Sequence, residues 1–352
     1  MLVRKLSVVC LAVGVVLVLA AAIIRFAVLP GLMKLPADLD QSQKYEGTMQ
    51  AVDPAAFAAN DLAHLLTPEM PITADRSLRV DTVDGDTAIV TSKALMKLPD
   101  GSKQSDVHTY AISRVDYTPV NISQGQASGL VSGDDRATFE QHEGVVLGWP
   151  MNPPKDGTTL YDPVTRTAQP AKFIAETKLE GRDVYEYRVD AGGPIASPVI
   201  LGQFKSFPSQ LPKAAVAALL QAGVVPEPSR EALSAGLSSV PEMVDVHFTS
   251  KNVVDVAVDR RFGAPLKAVQ TQRMYASIPV DGKDVPVLPL STVKLHTADS
   301  EVASAAHTLG KNALVLSLLR VWGPISMLVI GVALVAIGLF RWRKVSSGNA
   351  SR

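Results

Sequence analysis

The chain has 352 residues, of which 47% are hydrophobic and only 19% are charged. This balance excludes a disordered chain, because disordered chains are rich in charge and poor in apolar residues. The 34 basic and 34 acidic side chains cancel, which argues against a nucleic-acid partner held by phosphate neutralisation. Cys10 is the single cysteine, so a disulfide framework and a cysteine-based zinc site are excluded.

The first predicted element is a membrane-spanning helix over residues 6–24, which carry no charge and follow the basic pair Arg4 and Lys5. A helix rises about 1.5 Å per residue, so this run can cross the roughly 30 Å of bilayer hydrocarbon. A cleaved signal peptide is the alternative, since the small residues at 20–22 resemble a peptidase site. The apolar run continues past them, which favours a retained helix.

Residues 26–298 are predicted to form a β-rich domain with a helical insert. Asp84-Gly85 stands between two strand-like segments and is a strong hairpin signal. Prolines and glycines separate most of the other segments, as turn chemistry requires. We predict strands at 78–83, 87–91, 107–115, 184–189, 244–249, 253–259, 265–275 and 285–295, a loop at 125–135, a turn at Lys251-Asn252, and helices at 53–66, 212–222 and 229–237.

The predicted strands fall into two groups on either side of the helical insert. They either pair with one another across the insert or form two subdomains that divide near residue 200. In both cases the predicted fold class is α+β: a β-rich extracytoplasmic domain with a helical insert, anchored by an N-terminal and a C-terminal transmembrane helix.

The last predicted elements are a juxtamembrane helix over residues 299–320 and a second span over the uncharged residues 321–340. Three cations follow the second span within four positions and one precedes it. Cytoplasmic flanks carry the excess of Lys and Arg, so we predict that residues 1–5 and 341–352 are both cytoplasmic. The domain between the spans then lies on the outer face of the plasma membrane.

The two spans are predicted to be anchors. Neither contains the ionisable residue that a transport pathway usually places within a span. Small residues at Gly14, Gly331 and Gly338 would let the two helices pack closely.

Familiar catalytic and metal-binding motifs are missing from the sequence. No GxSxG elbow occurs, and Ser132 in Gly-Leu-Val-Ser-Gly has the wrong spacing. No two of the six histidines are spaced as a local zinc pair. We therefore predict no metal, no cofactor and, on balance, no enzymatic activity.

One cluster of carboxylates and aromatic residues stands out in the middle of the chain. Two carboxylates beside aromatic rings can cleave a glycosidic bond. The candidate catalytic residues are Asp134, Asp135 and Asp162, with Glu140 and Glu143 nearby, and the candidate ligand-binding residues are Trp149 and Tyr161. The alternative is a solvated loop with ion pairs to Arg136, which we favour.

Several short segments resemble a known family when they are taken together in order. They are Lys44-Tyr45-Glu46-Gly47-Thr48, Ser113-Arg114-Val115-Asp116, Gly133-Asp134-Asp135-Arg136, Gly148-Trp149-Pro150, Leu160-Tyr161-Asp162-Pro163, and Glu180-Gly181 leading to Val184-Tyr185-Glu186-Tyr187. With the two terminal spans, they resemble the actinobacterial porin PorA family over nearly the whole chain.

The resemblance implies a cell-envelope membrane protein of mycolate-bearing actinobacteria, with some members implicated in the maturation of lipoglycans. It supplies no catalytic residues. A β-barrel porin crosses the membrane with closed strands, whereas this sequence predicts two apolar helices. The two-span layout is also similar to that of scavenger receptors whose ectodomain encloses a lipid tunnel.

Three functions follow from these patterns. The first is a non-enzymatic envelope protein that binds, assembles or transfers membrane lipid or lipoglycan, and it predicts an apolar cavity lined by strand residues. The second is a glycan-active enzyme that uses the carboxylates named above. The third is a structural subunit of a membrane complex, with envelope-assembly membrane proteins as partners.

Overall fold

The computed structural model describes residues 2–123, 126, 129, 130 and 138–348, without the side chains of 2–8, 10 and 342–348. The chain divides into two compact units. One consists of residues 1–36 with 307–352, and the other of residues 37–306.

The first unit is a pair of long helices. The N-terminal helix comprises α1 (Leu2–Ile23), a π-helical turn (Ile24–Val28) and α2 (Leu29–Leu32). The C-terminal helix comprises α7 (Asp299–Ser317), which begins in the other unit, a second π-helical turn (Leu318–Trp322) and α8 (Gly323–Gly348). Segments Leu11–Leu32 and Asp299–Arg341 are long and apolar enough to cross a membrane.

Glycines at the contact allow α1 and α8 to approach each other closely. A Cβ on Gly14 would lie 2.6 Å from the carbonyl oxygen of Gly331, and a Cβ on Gly331 would lie 2.8 Å from that of Gly14. No larger residue fits at either position without moving a backbone, which is the packing expected of small residues between membrane helices.

The second unit contains a ten-stranded antiparallel sheet. Its strand order is β4-β3-β2-β1-β12-β11-β10-β7-β6-β5. The strands are β1 (Asp40–Ala51), β2 (Met70–Asp84), β3 (Thr87–Lys97), β4 (Lys103–Ser113), β5 (Thr159–Asp162), β6 (Thr167–Leu179), β7 (Arg182–Pro194), β10 (His247–Asp259), β11 (Pro265–Val280) and β12 (Lys283–Thr297).

The sheet curls until its two edge strands approach each other. Tyr110 of β4 and Tyr161 of β5 have ring centroids 6.0 Å apart. The segment 138–146 lies between these edges, with one bridge from Phe139 to β4 and one from Val145 to β5. We call this segment, with the edge residues it contacts, the seam.

A helical insert follows β7 and precedes β10. It contains α4 (Pro198–Gln203), β8 (Gln210–Pro212), α5 (Lys213–Gln221), α6 (Glu227–Gly236) and β9 (Met243–Asp245), and a short helix, α3 (Pro54–Ala58), follows β1. Apolar side chains of the insert, including Val216 and Leu233, form a core with Ile278 and Leu288 of the sheet. Burial of this amphipathic surface on the sheet stabilises short helices that would be marginal alone.

The strands pair across the helical insert, which decides between the two arrangements left open by the sequence. β7 pairs with β10 from Pro194–Thr249 to Val184–Asp259. The hairpin at Asp84-Gly85 is confirmed, with Gly85 at φ 57°. The helix expected over 53–66 is shorter, although Asp53 does cap it by accepting hydrogen bonds from the N–H groups of Ala55 and Ala56.

The predicted turn at Lys251-Asn252 is wrong, because β10 runs through both residues. Asn252 is buried in the strand, and its amide accepts a hydrogen bond from Gln270 at 3.0 Å and donates one to Asp162 at 3.4 Å. These partners satisfy a polar side chain that local sequence preference would place in a turn.

Candidate functional site

The three candidate catalytic carboxylates are not all within the described part of the chain. Asp134 and Asp135 lie outside it, as do Arg136 and most of the loop predicted at 125–135. Asp162 is buried at the end of β5, where one oxygen accepts hydrogen bonds from the Thr165 N–H at 3.1 Å and the Thr165 hydroxyl at 2.6 Å. Its other oxygen accepts the Asn252 amide. Asp162 therefore holds the β5–β6 turn, and both of its oxygens are engaged.

Trp149 lies in the core of the second unit and is only 2% exposed. Its ring stacks on Tyr187 with centroids 4.7 Å apart and 19° between the planes. Its backbone N–H donates to Gly263, and the Tyr187 hydroxyl donates to the Pro154 carbonyl at 2.8 Å. This geometry is that of a packing residue. A ligand-binding role for Trp149 stays a prediction.

Tyr161 belongs to an aromatic cluster at the seam. Its ring meets those of Tyr110 and His142, and the Tyr110–His142 centroids are 4.9 Å apart. Burial raises the pKa of both tyrosine hydroxyls, with the charge of Glu140 adding to the effect. Burial lowers the pKa of His142 to about 4, so this imidazole is neutral at pH 7, and its Nε2 has no hydrogen-bond partner among the described residues.

Charged groups lie beside these rings. His108 of β4 has Nε2 3.0 Å from Asp106 and Nδ1 2.9 Å from Glu140. The ring N–H directions miss the oxygens, so these are close ion pairs rather than linear hydrogen bonds. Burial alone would lower the pKa of His108, but the two carboxylates outweigh burial and raise it to about 9. His108 is therefore positively charged at neutral pH.

Glu140 joins the two edges of the sheet through its carboxylate. One oxygen faces His108 on β4, and the other lies 3.1 Å from Arg166 in the turn after β5. The Glu140 side chain is only 8% exposed, and its backbone N–H donates to Thr109 at 3.0 Å. The Glu140 carboxylate is thus paired with a largely buried cation, His108, and a half-exposed one, Arg166.

Sequence reasoning named Glu140 but missed His108. The signal that indicates this site is the alternation Asp106, His108, Tyr110, which places all three side chains on one face of a strand. Their partners at Glu140, Tyr161 and Arg166 are remote in the sequence, so only the curl of the sheet shows the cluster. Within the described ranges, no three His, Cys, Asp or Glu side chains are arranged to hold a metal ion.

A separate open depression of about 370 Å³ lies on strands β6, β7, β10 and β11. Two bulges flank it, with the extra residue at Ile174 in β6 and at Leu266 in β11. A bulge bends its strand and increases the local twist, which hollows the sheet surface here. The lining residues are Ile174, Glu186, Tyr187, Arg188, Asp255, Val256, Ala257, Lys267 and Val269.

The lining of the depression is both charged and apolar. Arg188 forms a bidentate salt bridge with Asp255, in which both N–O distances are 2.8 Å. This pair holds the pKa of Arg188 above its ordinary value. Ile174 and Val269 expose apolar surface, at 57% and 43%. The depression differs from the apolar cavity expected of a lipid-binding protein, because it is open and charged side chains stand beside the apolar ones.

Comparisons with known proteins give one informative match. No curated protein matches the chain. Among solved structures, an acyl-CoA thioesterase II, TesB2, from Mycobacterium marinum is 10% identical, with 73% of this chain and 79% of that chain covered and a TM-score of 0.11. The dehydratase domain of RzxB from Pseudomonas fluorescens is also 10% identical, with 73% and 77% covered and a TM-score of 0.11. Neither structure informs the fold at that score.

The family match, by contrast, extends over both apolar helices and the whole sheet. It is described as Porin PorA and spans residues 6–340. The chain therefore belongs to the Porin PorA family.

Proposed function

We propose that this chain is a non-enzymatic binding protein of the cell envelope, whose unit 37–306 binds an envelope lipid or lipoglycan at the outer face of the plasma membrane. The family and the two apolar helices indicate a membrane protein. The observation that supports binding is the depression on β6, β7, β10 and β11. Its volume of about 370 Å³ is at the lower end of the range of small-molecule sites, and it is open to solvent.

The composition of the depression supports an amphipathic ligand. Glu186 and Lys267 flank a small floor residue, Ala257, and the Arg188–Asp255 pair forms another side. Groups of both signs favour a headgroup rich in hydroxyls over one with a single strong charge, because a polyol can donate to the carboxylates and accept from the cations. The exposed side chains of Ile174 and Val269 supply apolar contact for the rest of such a molecule.

The tether at both ends of the unit supports action at the membrane surface. The chain leaves one predicted span before residue 37 and enters the other after residue 306. With both termini cytoplasmic, as the basic flanks predict, a bound lipid would stay within reach of the outer leaflet. Asp162 argues for binding over glycan hydrolysis, because it is buried and holds the β5–β6 turn, where a glycan cannot reach it.

The experiment is to purify the intact protein in mild detergent and identify bound lipids and glycolipids by mass spectrometry. We expect a specific, stoichiometric envelope lipid. The variant Ala257→Leu fills the floor of the depression and is expected to lower its occupancy about tenfold, by analogy with the cost of overpacking a fitted site. Ala303→Leu is the matched control, because Ala303 is exposed on α7 outside the depression.

Two outcomes would contradict the proposal. One is recovery of bulk phospholipid alone, at the level of an unrelated two-span protein. The other is a specific lipid whose occupancy falls equally in Ala257→Leu and in the control Ala303→Leu. A stoichiometric protein in place of a lipid would instead favour the structural-subunit function.

A further inference from the structure

The two π-helical turns have the same cause in both spans. The first, Ile24–Val28, is closed by a bond from the Leu29 N–H to the Ile24 carbonyl, and Pro30 follows. The second, Leu318–Trp322, is closed by a bond from the Gly323 N–H to the Leu318 carbonyl, and Pro324 follows. Proline has no N–H for the carbonyl four residues earlier, so the helix widens just before it.

The two π turns lie together in the helix pair, with Cα atoms of one within 8 Å of Cα atoms of the other. Each contains one arginine, Arg25 in the first and Arg320 in the second. Both arginines stand at the end of an apolar span, on the side where the chain connects to residues 37–306. The same level of the helix pair therefore carries two cations at a membrane boundary.

Within the described part of the chain, these cations have no carboxylate partner. Both arginines are exposed. Phe26 and Trp322 of the same turns are also exposed, at 78% and 62%. Exposed aromatic residues beside cations are typical of the headgroup region of a bilayer.

We propose that Arg25 and Arg320 form a binding site for the phosphate of an anionic lipid headgroup at the domain-side end of the two spans. A guanidinium presents a planar fork of N–H donors that matches two phosphate oxygens. Two guanidinium groups at one level repel each other in the absence of an anion, so a shared phosphate stabilises the pair. The π turns are rare features that often occur at functional sites, and each of these two neighbouring turns contains one of the arginines.

The test measures binding of a short-chain phosphatidylglycerol to the full-length protein in mild detergent. Phosphatidylcholine and inorganic phosphate are the comparison probes. We expect phosphatidylglycerol to bind more tightly than phosphatidylcholine, and the double variant Arg25→Gln/Arg320→Gln to weaken its binding by about tenfold or more. Arg341→Gln is the control, because Arg341 flanks the opposite end of the same span.

A further variant separates geometry from charge. Arg25→Lys/Arg320→Lys keeps both charges but lacks the planar guanidinium groups with their paired N–H donors. We expect its affinity for phosphatidylglycerol to lie between those of the wild type and the double glutamine variant. Inorganic phosphate that competes as well as the lipid would support the phosphate site and assign a soluble source. Equal affinity for the two lipids would overturn the proposal, as would an equal loss in the Arg341→Gln control.

Discussion

Replacing Glu140 by glutamine removes the charge that joins the two edges of the sheet while keeping the size of the side chain. His108 on β4 and Arg166 after β5 then face a neutral group across the seam. We expect the variant to fold, because backbone hydrogen bonds still join the segment 138–146 to β4 and β5, but to hold that segment less tightly once the two ion pairs are lost.

The magnitude follows from the pKa of His108. A rise from 6.5 to about 9 corresponds to about 3 kcal/mol of stabilisation, shared between Asp106 and Glu140. Loss of Glu140 removes roughly half of this stabilisation. The ion pair between Glu140 and the half-exposed Arg166 adds less than about 1 kcal/mol, because water screens it. The sum is about 2 kcal/mol, or a fall in Tm of roughly 4–8 °C for a domain of this size.

The assay is thermal and guanidinium unfolding of the full-length protein, with hydrogen exchange of peptides from the seam. Glu143→Gln is the control, because Glu143 lies three residues along the same segment and is exposed. Exchange in 138–146 should rise in Glu140→Gln alone. Equal stability of the two variants, or a loss spread evenly over the sheet, would refute the role given to Glu140.

The pH dependence has a defined sign. The pKa of His108 is higher in the folded chain than its ordinary value of 6.5, so the stabilisation is fully present below that value. It declines as the pH rises and is lost above about 9. The stability difference between the wild type and Glu140→Gln should therefore be largest near about pH 6 and fall by about pH 10 to the share of the Arg166 pair, under about 1 kcal/mol. A difference that grew with pH would contradict this account.

Three further substitutions test packing described above. Gly14→Ile should separate the spans, so that the two span peptides no longer co-purify after proteolysis of the connecting domain; Gly31→Ile, in open space, is the control. Gly47→Ala should cost about 3 kcal/mol, because its Cβ would collide with a β12 carbonyl, and increased hydrogen exchange in β1 and β12 would report it. Trp149→Ala should cost about 3–5 kcal/mol in guanidinium unfolding followed by circular dichroism, and a loss below about 1 kcal/mol would contradict its place in the core.

Local patterns in the sequence predict much of the fold. The apolar runs form the long helices, and the turn at Asp84-Gly85 joins β2 to β3 because glycine adopts positive φ there without strain. The prediction failed at Lys251-Asn252, where tertiary hydrogen bonds override turn preference. The site was harder still to predict. His108, Glu140 and Arg166 belong to three separate segments, and only closure of the sheet brings them together.

The strand order also dictates when the domain can complete its fold. Strands β1 to β4 form a meander of local hairpins, and β5 to β12 form a second half that includes the insert. The halves join where β1 pairs with β12, which is synthesised roughly 230 residues after β1. The edge of β1 that pairs with β12 therefore remains without its partner through most of synthesis. A chain truncated before β12 would present two open strand edges, on β1 and β11, to neighbouring molecules.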